Sequence, residues 1–319
     1  MIRIGVLASL DSEFAQAVVR NINHRMIDGI KAEFCKIFPL SLETKRRYDI
    51  ILDRISHVVP FYQAYLKNAV LQGTYVINNP FWSAADDKFF NYTLAKKMNI
   101  PIPKTLLLPQ KEYEYDFSEQ DLTNICYPAD LHTIVENIGF PAILKPYDGY
   151  GWRSVYKINN YDELMYYYNQ SGSQVMMLQE FINYDHYVRA FVIGKKKVIA
   201  IRYNPEKKLY VVDHKHLTSE LGDLINKYSI QLCEMLDYEI NTVEFAISNN
   251  IPYAIDYMNP VPDGNPRSIT PFYFREVVVS IADMIIEKAQ NKEYLPPVSV
   301  QLPTRYNSII AKNFVNNIS

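Results

Sequence analysis

The sequence predicts an α/β protein of two or three domains that begins with an open parallel sheet. Over residues 1–80, short apolar runs rich in β-branched residues alternate with helical patterns, which is typical of a parallel α/β layer. Later, two pairs of apolar runs flank short polar or glycine-containing turns, as in β-hairpins. The 319 residues suffice for two or three domains, and 48% hydrophobic with 21% charged residues excludes wholesale disorder.

The N-terminal layer is predicted from the apolar runs and their flanking turn residues. A helix carrying Phe14, Val18 and Ile22 on one face follows the first strand, with Ser12 suited to its N-cap. No GxGxxG follows that strand, so a dinucleotide-binding fingerprint is absent. The predicted strands are Ile2–Ala8, Cys35–Phe38, Asp49–Leu52 and Tyr75–Ile77.

The remaining elements follow from the same signals. A helix from Ser83 ends before Pro101, and the polar, acidic and aromatic stretch Gln110–Asp130 is predicted to be an insertion. Further helices are predicted at Tyr161–Asn169, Leu221–Leu236 and Phe274–Lys288. Single strands are predicted at Thr105–Leu108, Val155–Ile158 and Met176–Phe181, and hairpins at Val188–Ile193 with Lys197–Tyr203 and at Thr242–Ile247 with Tyr253–Tyr257.

Charge, hydropathy and cysteine content exclude several classes of protein. A net charge of −2 argues against a nucleic-acid binder that relies on positive charge. No run of about 18 apolar residues is present, and the N-terminus lacks a signal-peptide pattern, so we expect a cytoplasmic protein without a membrane partner. The cysteines Cys35, Cys126 and Cys233 are too few and too dispersed for a disulfide framework or a Cys-rich metal site.

Three oxygen ligands lie in or directly after the otherwise apolar strands of the last hairpin. Glu244 stands in NTVEFAI, and Asp256 and Asn259 stand in PYAIDYMNP. Adjacent antiparallel strands share a face, so Glu244 and Asp256 can converge on one cation, and Mg²⁺ prefers such hard oxygen ligands. Alternatively, these acids pair with Lys or Arg.

A lysine and a glycine loop form a second candidate site. Lys145 ends the apolar strand FPAILK, and Gly149 and Gly151 lie in the following loop. Such a loop allows backbone N–H groups to approach phosphate oxygens, and the lysine supplies positive charge. The other interpretation is a simple turn, although a lysine in so apolar a strand needs a partner if buried.

A third candidate is the end of the strand MMLQEFI. Its edge could hydrogen-bond an adenine ring, although an apolar strand ending in a polar turn is also common. The residues concerned are Gln179, Glu180, Phe181 and Ile182.

Together with ADDKFFNYTLAKKMNIPIPKT, these segments resemble the ATP-grasp superfamily in order, content and spacing, over residues 81–285. RimK-type and glutathione-synthetase-like carboxylate–amine ligases are the most similar branch. The resemblance implies an N-terminal Rossmann-like domain (1–82) before a two-subdomain ATP-grasp fold, which comprises a central and lid part (83–183) and a C-terminal part with the metal site (184–300). Residues 301–319 form a tail.

The resemblance also implies roles for individual residues. Lys88 and Lys145 match the phosphate-binding lysines, Gly149 and Gly151 the lid, and residues 179–182 the adenine linker. Glu244, Asp256 and Asn259 match the ligands of Mg²⁺, with Mn²⁺ as an alternative. Arg202, Lys215 and Arg267 match positions that contact phosphate, intermediate or substrate.

Three departures from the family pattern concern the metal strand, the ribose contact and the lid. Asp256 and Asn259 are three positions apart rather than two, so we expect a bulge or a different ligand. Tyr187 stands where the family has a ribose-binding acid, which leaves Asp185 or His186 as a substitute. The lid sequence GYGWR contains fewer glycines than is common in the family.

The resemblance implies an ATP-dependent ligase that joins a carboxylate to an amine through an acylphosphate. Its partners would be small-molecule substrates or a peptide, and a homo-oligomer remains open. Two alternatives are a ligase that modifies a peptide or protein, with Gln110–Asp130 as a docking segment, and a nucleotide-binding module that has lost catalysis.

Overall fold

The computed structural model describes residues 1–82, 87–113, 131–149, 153–213 and 217–295, with further positions at 117, 121–122, 124–125, 215, 301 and 303–304. The chain divides into two compact units. Unit 1 comprises Met1–Ala85, Tyr187–Glu244 and Asp256–Ser319, and unit 2 comprises Asp86–His186 and Phe245–Ile255. The four-segment division that we derived from the sequence stays a prediction.

Unit 1 begins with the predicted parallel sheet. Its strands are β1 (Ile2–Leu7), β2 (Ile30–Phe34), β3 (Ile50–Asp53) and β4 (Tyr75–Ile77), and its helices are α1 (Glu13–His24) and α2 (Pro60–Leu71). The strand order is β2-β1-β3-β4, and every pair is parallel. Ser12 caps α1 by accepting a hydrogen bond from the Ala15 amide, as its position predicts. A 3₁₀ turn, Ser56–Val58, precedes α2.

The prediction of a strand at Cys35–Phe38 is wrong. The strand is β2, which ends at Phe34, and only Cys35 extends the pairing through its amide to the Val6 carbonyl. Because β2 is an edge strand, it buries little more than Ala32, so IKAEF lacks the apolar run by which a buried strand is recognised.

Unit 2 contains an antiparallel sheet covered by short helices. The strands are β5 (Thr105–Leu108), β6 (Ala142–Pro146), β7 (Tyr156–Ile158) and β8 (Met176–Glu180), in the order β5-β8-β6-β7. The helices are α3 (Lys88–Lys97), α4 (Leu131–Glu136) and α5 (Tyr161–Asn169). Leu108, Leu144, Leu164 and Met176 belong to the core between the sheet and its helices.

The remaining strands form a five-stranded sheet. They are β9 (His186–Ile193), β10 (Lys197–Asn204), β11 (Leu209–Val211), β12 (Ile240–Ser248) and β13 (Ile251–Asp256), in the order β11-β10-β9-β12-β13. Along the chain, β12 and β13 each pass from one unit into the other. Both predicted hairpins are present, and β9 and β10 pair antiparallel across the turn at Gly194.

Two long helices follow in unit 1. They are α6 (Ser219–Leu236) and α7 (Pro266–Gln290), and a 3₁₀ turn, Lys292–Tyr294, comes after α7. The helix α7 begins before the predicted Phe274, because a first helical turn precedes a kink at Thr270, where φ is 67° and Pro271 follows. In the described part of the chain, no helix is both long and apolar enough to cross a membrane.

Candidate functional site

Lys145 is buried in unit 2 and is held by two hydrogen bonds. Its Nζ donates to the carbonyl of Ile255, at 3.1 Å, and lies 3.2 Å from the Tyr92 hydroxyl. The Tyr92 hydroxyl itself donates to the same carbonyl. The side chain is placed by β6, where Lys145 pairs with Met177 of β8. The ammonium is therefore fixed at the carbonyl that precedes Asp256 in the sequence.

Lys88, the other predicted phosphate-binding lysine, is the first residue of α3 and is also buried. Its amide donates to the carbonyl of Tyr147, at 3.2 Å, which ties the start of α3 to the loop after β6. Gly149 lies in that loop, and a Cβ there would come within 3.0 Å of the Pro146 ring. Gly151 lies outside the described residues. Unit 2 thus ties the start of α3 to the loop that contains one of the two predicted glycines.

The predicted adenine linker consists of the last two residues of β8 and the two residues that follow it. The Glu180 amide donates to the Lys104 carbonyl, at 2.9 Å, and the Glu180 carboxylate accepts from the Lys104 amide, at 3.2 Å. Gln179 is buried and donates to the Thr105 hydroxyl. Phe181 and Ile182 are half-buried, and the Lys157 ammonium lies 4.1 Å from the centre of the Phe181 ring.

Asp185, the predicted substitute for the ribose-binding acid, is exposed at the end of this segment. Its amide donates to the Ile247 carbonyl, and its carboxylate accepts a 3.3 Å hydrogen bond from the Asn249 amide. Asp185 is therefore engaged in holding the turn between β12 and β13, and a role with ribose stays a prediction.

In unit 1, both carboxylate oxygens of Glu244 have a donor from β9. Oε2 accepts a hydrogen bond from the Tyr187 hydroxyl, and Oε1 lies 2.6 Å from a guanidinium nitrogen of Arg189. The side chains of Arg189 and Glu244 are only 13% and 8% exposed. Tyr187 and Arg189 are two positions apart on one strand, so they project from the same face of the sheet.

Two tyrosines enclose the guanidinium of Arg189. Its centre lies 3.9 Å from the middle of the Tyr203 ring and 5.8 Å from that of Tyr210. The two rings meet edge to face, with centroids 5.1 Å apart. Because β11, β10 and β9 are neighbours, Tyr210, Tyr203 and Arg189 form one layer across three strands.

Burial and the neighbouring acid fix the protonation states of this layer. Burial raises the pKa of Tyr187 well above its usual value, and the charge of Glu244 and the hydrogen bond to it act in the same direction. Burial alone would lower the pKa of Arg189, but the Glu244 carboxylate outweighs that effect and raises it. Tyr187 is therefore a neutral donor and Arg189 a permanent cation at physiological pH.

Asp213 brings together two of the predicted catalytic residues. Its carboxylate lies 2.9 Å from an Arg202 nitrogen and accepts a 3.1 Å hydrogen bond from the Lys215 amide. Lys215 is exposed, and its neighbours in HKH are outside the described residues. Arg267 is exposed in the first turn of α7, where its amide bonds the N-cap residue Asn265. These contacts leave the catalytic roles of the three cations as predictions.

Comparison with known proteins identifies the architecture. No protein-family model matches the sequence. The α-aminoadipate–LysW ligase LysX of Saccharolobus solfataricus is 22% identical over 188 residues, which cover 56% of this chain and 62% of that ligase. The chain thus spans less than two thirds of the length of this curated relative.

Two solved structures match over far more of the chain. A RimK-domain ATP-grasp protein from Sphaerobacter thermophilus is 19% identical, with a TM-score of 0.62, covering 89% of this chain and 99% of that one. The chain has the ATP-grasp fold. A structure of the ATP-grasp ligase PsnB complexed with its minimal precursor, Mg and ADP is 16% identical, with a TM-score of 0.63, covering 90% of this chain and 98% of that one. The predicted resemblance and fold class are confirmed.

The donor set on this ATP-grasp fold suits a hard cation such as Mg²⁺. The charges of Glu244 and Asp256 both raise the pKa of Tyr187, so both acids act on the same side chain. The side-chain nitrogen of Asn259 donates to the Thr242 carbonyl, at 2.9 Å, and the side-chain oxygen of Asn259 is the atom that could bind a cation. The Thr242 hydroxyl is buried and has no hydrogen-bond partner in the described part of the chain. Carboxylate, amide and hydroxyl oxygens are ligands that Mg²⁺ accepts.

The described residues contain no group of three or more His, Cys, Asp or Glu able to hold a metal ion. The predicted ligand set has only two carboxylates and an amide, so it is not a group of that kind and stays a prediction.

Sequence reasoning did not assign Arg189 or Thr242 to the candidate site, and it named Tyr187 only as a departure from the family's ribose-binding acid. Arg189 and Tyr187 alternate on one strand with apolar residues, and Thr242 precedes Glu244 by two positions on another. Polar residues at every second position of an otherwise apolar strand are a sequence signal that could have indicated these residues.

Proposed function

We propose that the protein is an ATP-dependent ligase that forms an amide bond between a carboxylate and an amine. The observation that carries this proposal is the pair of buried lysines, Lys88 and Lys145, at adjoining elements of unit 2 in an ATP-grasp fold. An ammonium is a strong hydrogen-bond donor to phosphate oxygens, so two such groups suit a phosphate-binding role. LysX and PsnB are both ligases, which supports the same class of reaction.

The proposed reaction has two steps. A carboxylate oxygen of the first substrate attacks the γ-phosphorus of ATP, so that an acylphosphate forms and ADP leaves. The amine nitrogen of the second substrate then attacks the acyl carbon, phosphate leaves with the electron pair of the C–O bond, and the amine loses a proton. Lys88 and Lys145 hold phosphate oxygens and offset their charge, which is the main contribution a protein makes to phosphoryl transfer.

The adenine base is assigned to Glu180, Phe181 and Ile182, next to Gln179, with Asp185 near the sugar and Gly149 and Gly151 in the lid over the phosphates. Glu244, Asp256 and Asn259 would hold the cation, Mg²⁺ or alternatively Mn²⁺. When bound, that cation would supply positive charge that offsets the charge of the phosphates.

Arg202, Lys215 and Arg267 are the proposed catalytic cations. Arg202 and Lys215 are anchored through Asp213, so they can be presented together to a developing negative charge. Arg267, at the exposed start of α7, suits a substrate carboxylate through its two-pronged guanidinium. A cytoplasmic location stays a prediction.

A screen for ADP release tests the proposal. The protein is incubated with ATP, Mg²⁺ and a matrix of carboxylates paired with amines, and ADP release is followed with a coupled assay. We expect at least one pair to release ADP in proportion to amide formed. Glu244→Gln and Asp256→Asn should abolish this release, whereas Asp223→Asn, which changes an acid on α6, should not.

Two other functions remain as competing outcomes. PsnB is complexed with a precursor peptide, which favours a peptide or protein acceptor as the second candidate. ADP release that requires a peptide and not a free amino acid would support it. A catalytically inactive module would bind ATP in calorimetry but release no ADP with any substrate mixture or peptide.

A further inference from the structure

The carboxylate of Glu244 is held at both ends by side chains from one strand. Tyr187 donates to one oxygen and Arg189 approaches the other to 2.6 Å. These donors are spaced by two residues on β9, so both reach the same carboxylate from one face of the sheet. A carboxylate oxygen has two lone pairs, and each of these donors engages one oxygen of Glu244.

The two donors are themselves immobilised by packing. Tyr187 is 5% exposed, and its ring lies against that of Tyr203 with centroids 5.6 Å apart. The Arg189 guanidinium rests on the same Tyr203 ring and lies beside Tyr210. We call Tyr187, Arg189, Tyr203 and Tyr210 the β9 clamp. A rotation of the Glu244 side chain would break an ion pair and a hydrogen bond at once.

The chemistry at position 187 matters because the phenol donates without carrying charge. A carboxylate there would face Glu244 with like charge, and an apolar side chain would remove a hydrogen bond from a buried carboxylate. The Tyr187 hydroxyl therefore orients Glu244 without adding a charge that would compete with it for a cation.

We propose that Tyr187 is a positioning residue that fixes the Glu244 carboxylate in the orientation in which it binds the divalent cation. This inference rests on the proposed function, since it takes Glu244 as a cation ligand. It adds that the β9 clamp sets the cation affinity of the site, and that Tyr187 acts through Glu244 rather than on the substrates.

Tyr187→Phe is the test, because it removes only the hydroxyl and keeps the ring. Tyr65→Phe is the matched control: it removes the hydroxyl of a buried tyrosine in the core of the first sheet. Two measurements are made on each full-length variant. One is Mn²⁺ binding in the absence of nucleotide, followed by the electron paramagnetic resonance of free Mn²⁺. The other is ADP release as a function of Mg²⁺ at saturating ATP.

We expect Tyr187→Phe to weaken Mn²⁺ binding about tenfold and to raise the half-saturating Mg²⁺ by a similar factor, the usual size of such an effect. The rate at saturating Mg²⁺ should change little, and Tyr65→Phe should match the wild type in both measurements. Equal Mn²⁺ binding by Tyr187→Phe and wild type would overturn the inference, as would a wild type that binds no Mn²⁺. Failure of the proposed function is a different result: no ADP release by the wild type, whatever the Mn²⁺ titration shows.

Discussion

Arg189 and Glu244 form an ion pair within the five-stranded sheet, with 2.6 Å between guanidinium nitrogen and carboxylate oxygen and side chains only 13% and 8% exposed. Arg202 and Asp213 form a pair of similar length, 2.9 Å, but their side chains are 45% and 30% exposed. The same two kinds of charge thus meet in one protein at two very different degrees of solvation.

Arg189→Ala should therefore destabilise the fold by about 3–5 kcal/mol, because it leaves the Glu244 carboxylate buried without its cation. Arg202→Ala should cost less than about 1 kcal/mol, since water can replace the guanidinium beside the more exposed Asp213 carboxylate. Urea unfolding at pH 7 measures both free energies. Equal losses for the two variants would contradict the argument, and so would a Glu244→Leu, Arg189→Met double variant less stable than Arg189→Ala.

The elements that sequence patterns predicted well are those defined by neighbours along the chain. Thr105–Leu108, Tyr75–Ile77 and Tyr161–Asn169 have the predicted bounds, because Pro, Gly or Asn residues mark their ends and their apolar patterns are local. The edge strand β2 was missed because it has little apolar surface to reveal it. Local signals fail where an element is stabilised mainly by its sheet partner.

In the candidate site, too, the residues that stand out locally were predicted, whereas a contact between distant elements was not. Lys145 and Glu244 stand out in the sequence because a charged residue within an apolar strand demands an explanation. The pairing of Glu244 with Arg189 could not be deduced, because it requires knowing that β9 and β12 are neighbours although α6, β10 and β11 lie between them in the chain.

Replacement by alanine should change the stability of the protein in opposite directions at two glycines. A Cβ on Gly264 would lie 2.7 Å from two ring carbons of Phe14, whose ring is packed under the Arg54 guanidinium, so Gly264→Ala must displace a buried aromatic. Gly222, inside α6, has open space at the same position. We expect Gly264→Ala to lose about 1–3 kcal/mol of stability and Gly222→Ala to gain about 1 kcal/mol. Thermal unfolding compares them, and a stabilised Gly264→Ala would show that the close approach to Phe14 is not tight.

The thiol of Cys233 should make stability depend on alkaline pH. Burial raises its pKa to about 12 from the usual value of 9.0, so the folded state keeps the proton that the unfolded state loses above pH 9. The group's contribution is thus complete below pH 9 and falls as the pH rises toward 12. Between about pH 8 and 10, the wild type should lose about 1 kcal/mol more unfolding free energy than Cys233→Ala.

Urea titrations at the two pH values provide the measurement, and other titrating groups cancel in the difference. Parallel pH profiles for the two proteins would show that the thiol ionises equally in both states.

Gln301 caps the β4 edge of the first sheet. Its side-chain oxygen accepts from the Val76 amide and its side-chain nitrogen donates to the Val76 carbonyl, both at 2.6 Å, so one side chain replaces a missing neighbour of β4. Its own carbonyl accepts from Asn79. The sequence marks residues 301–319 only as a tail, but these contacts give Gln301 a structural role.

Gln301→Ala would leave both Val76 backbone groups without these partners, and we expect a loss of about 2 kcal/mol. Gln301→Glu keeps the acceptor but points a carboxylate oxygen at the Val76 carbonyl, so it should be at least as destabilising near neutral pH. Asn79→Ala leaves both bonds between Gln301 and Val76 in place and should cost less.

Hydrogen exchange provides the site-specific readout. In Gln301→Ala the Val76 amide should exchange faster, while the amides of β1 in the sheet interior should change only as much as the global stability does. Uniformly faster exchange with no excess at Val76 would contradict the edge-capping role.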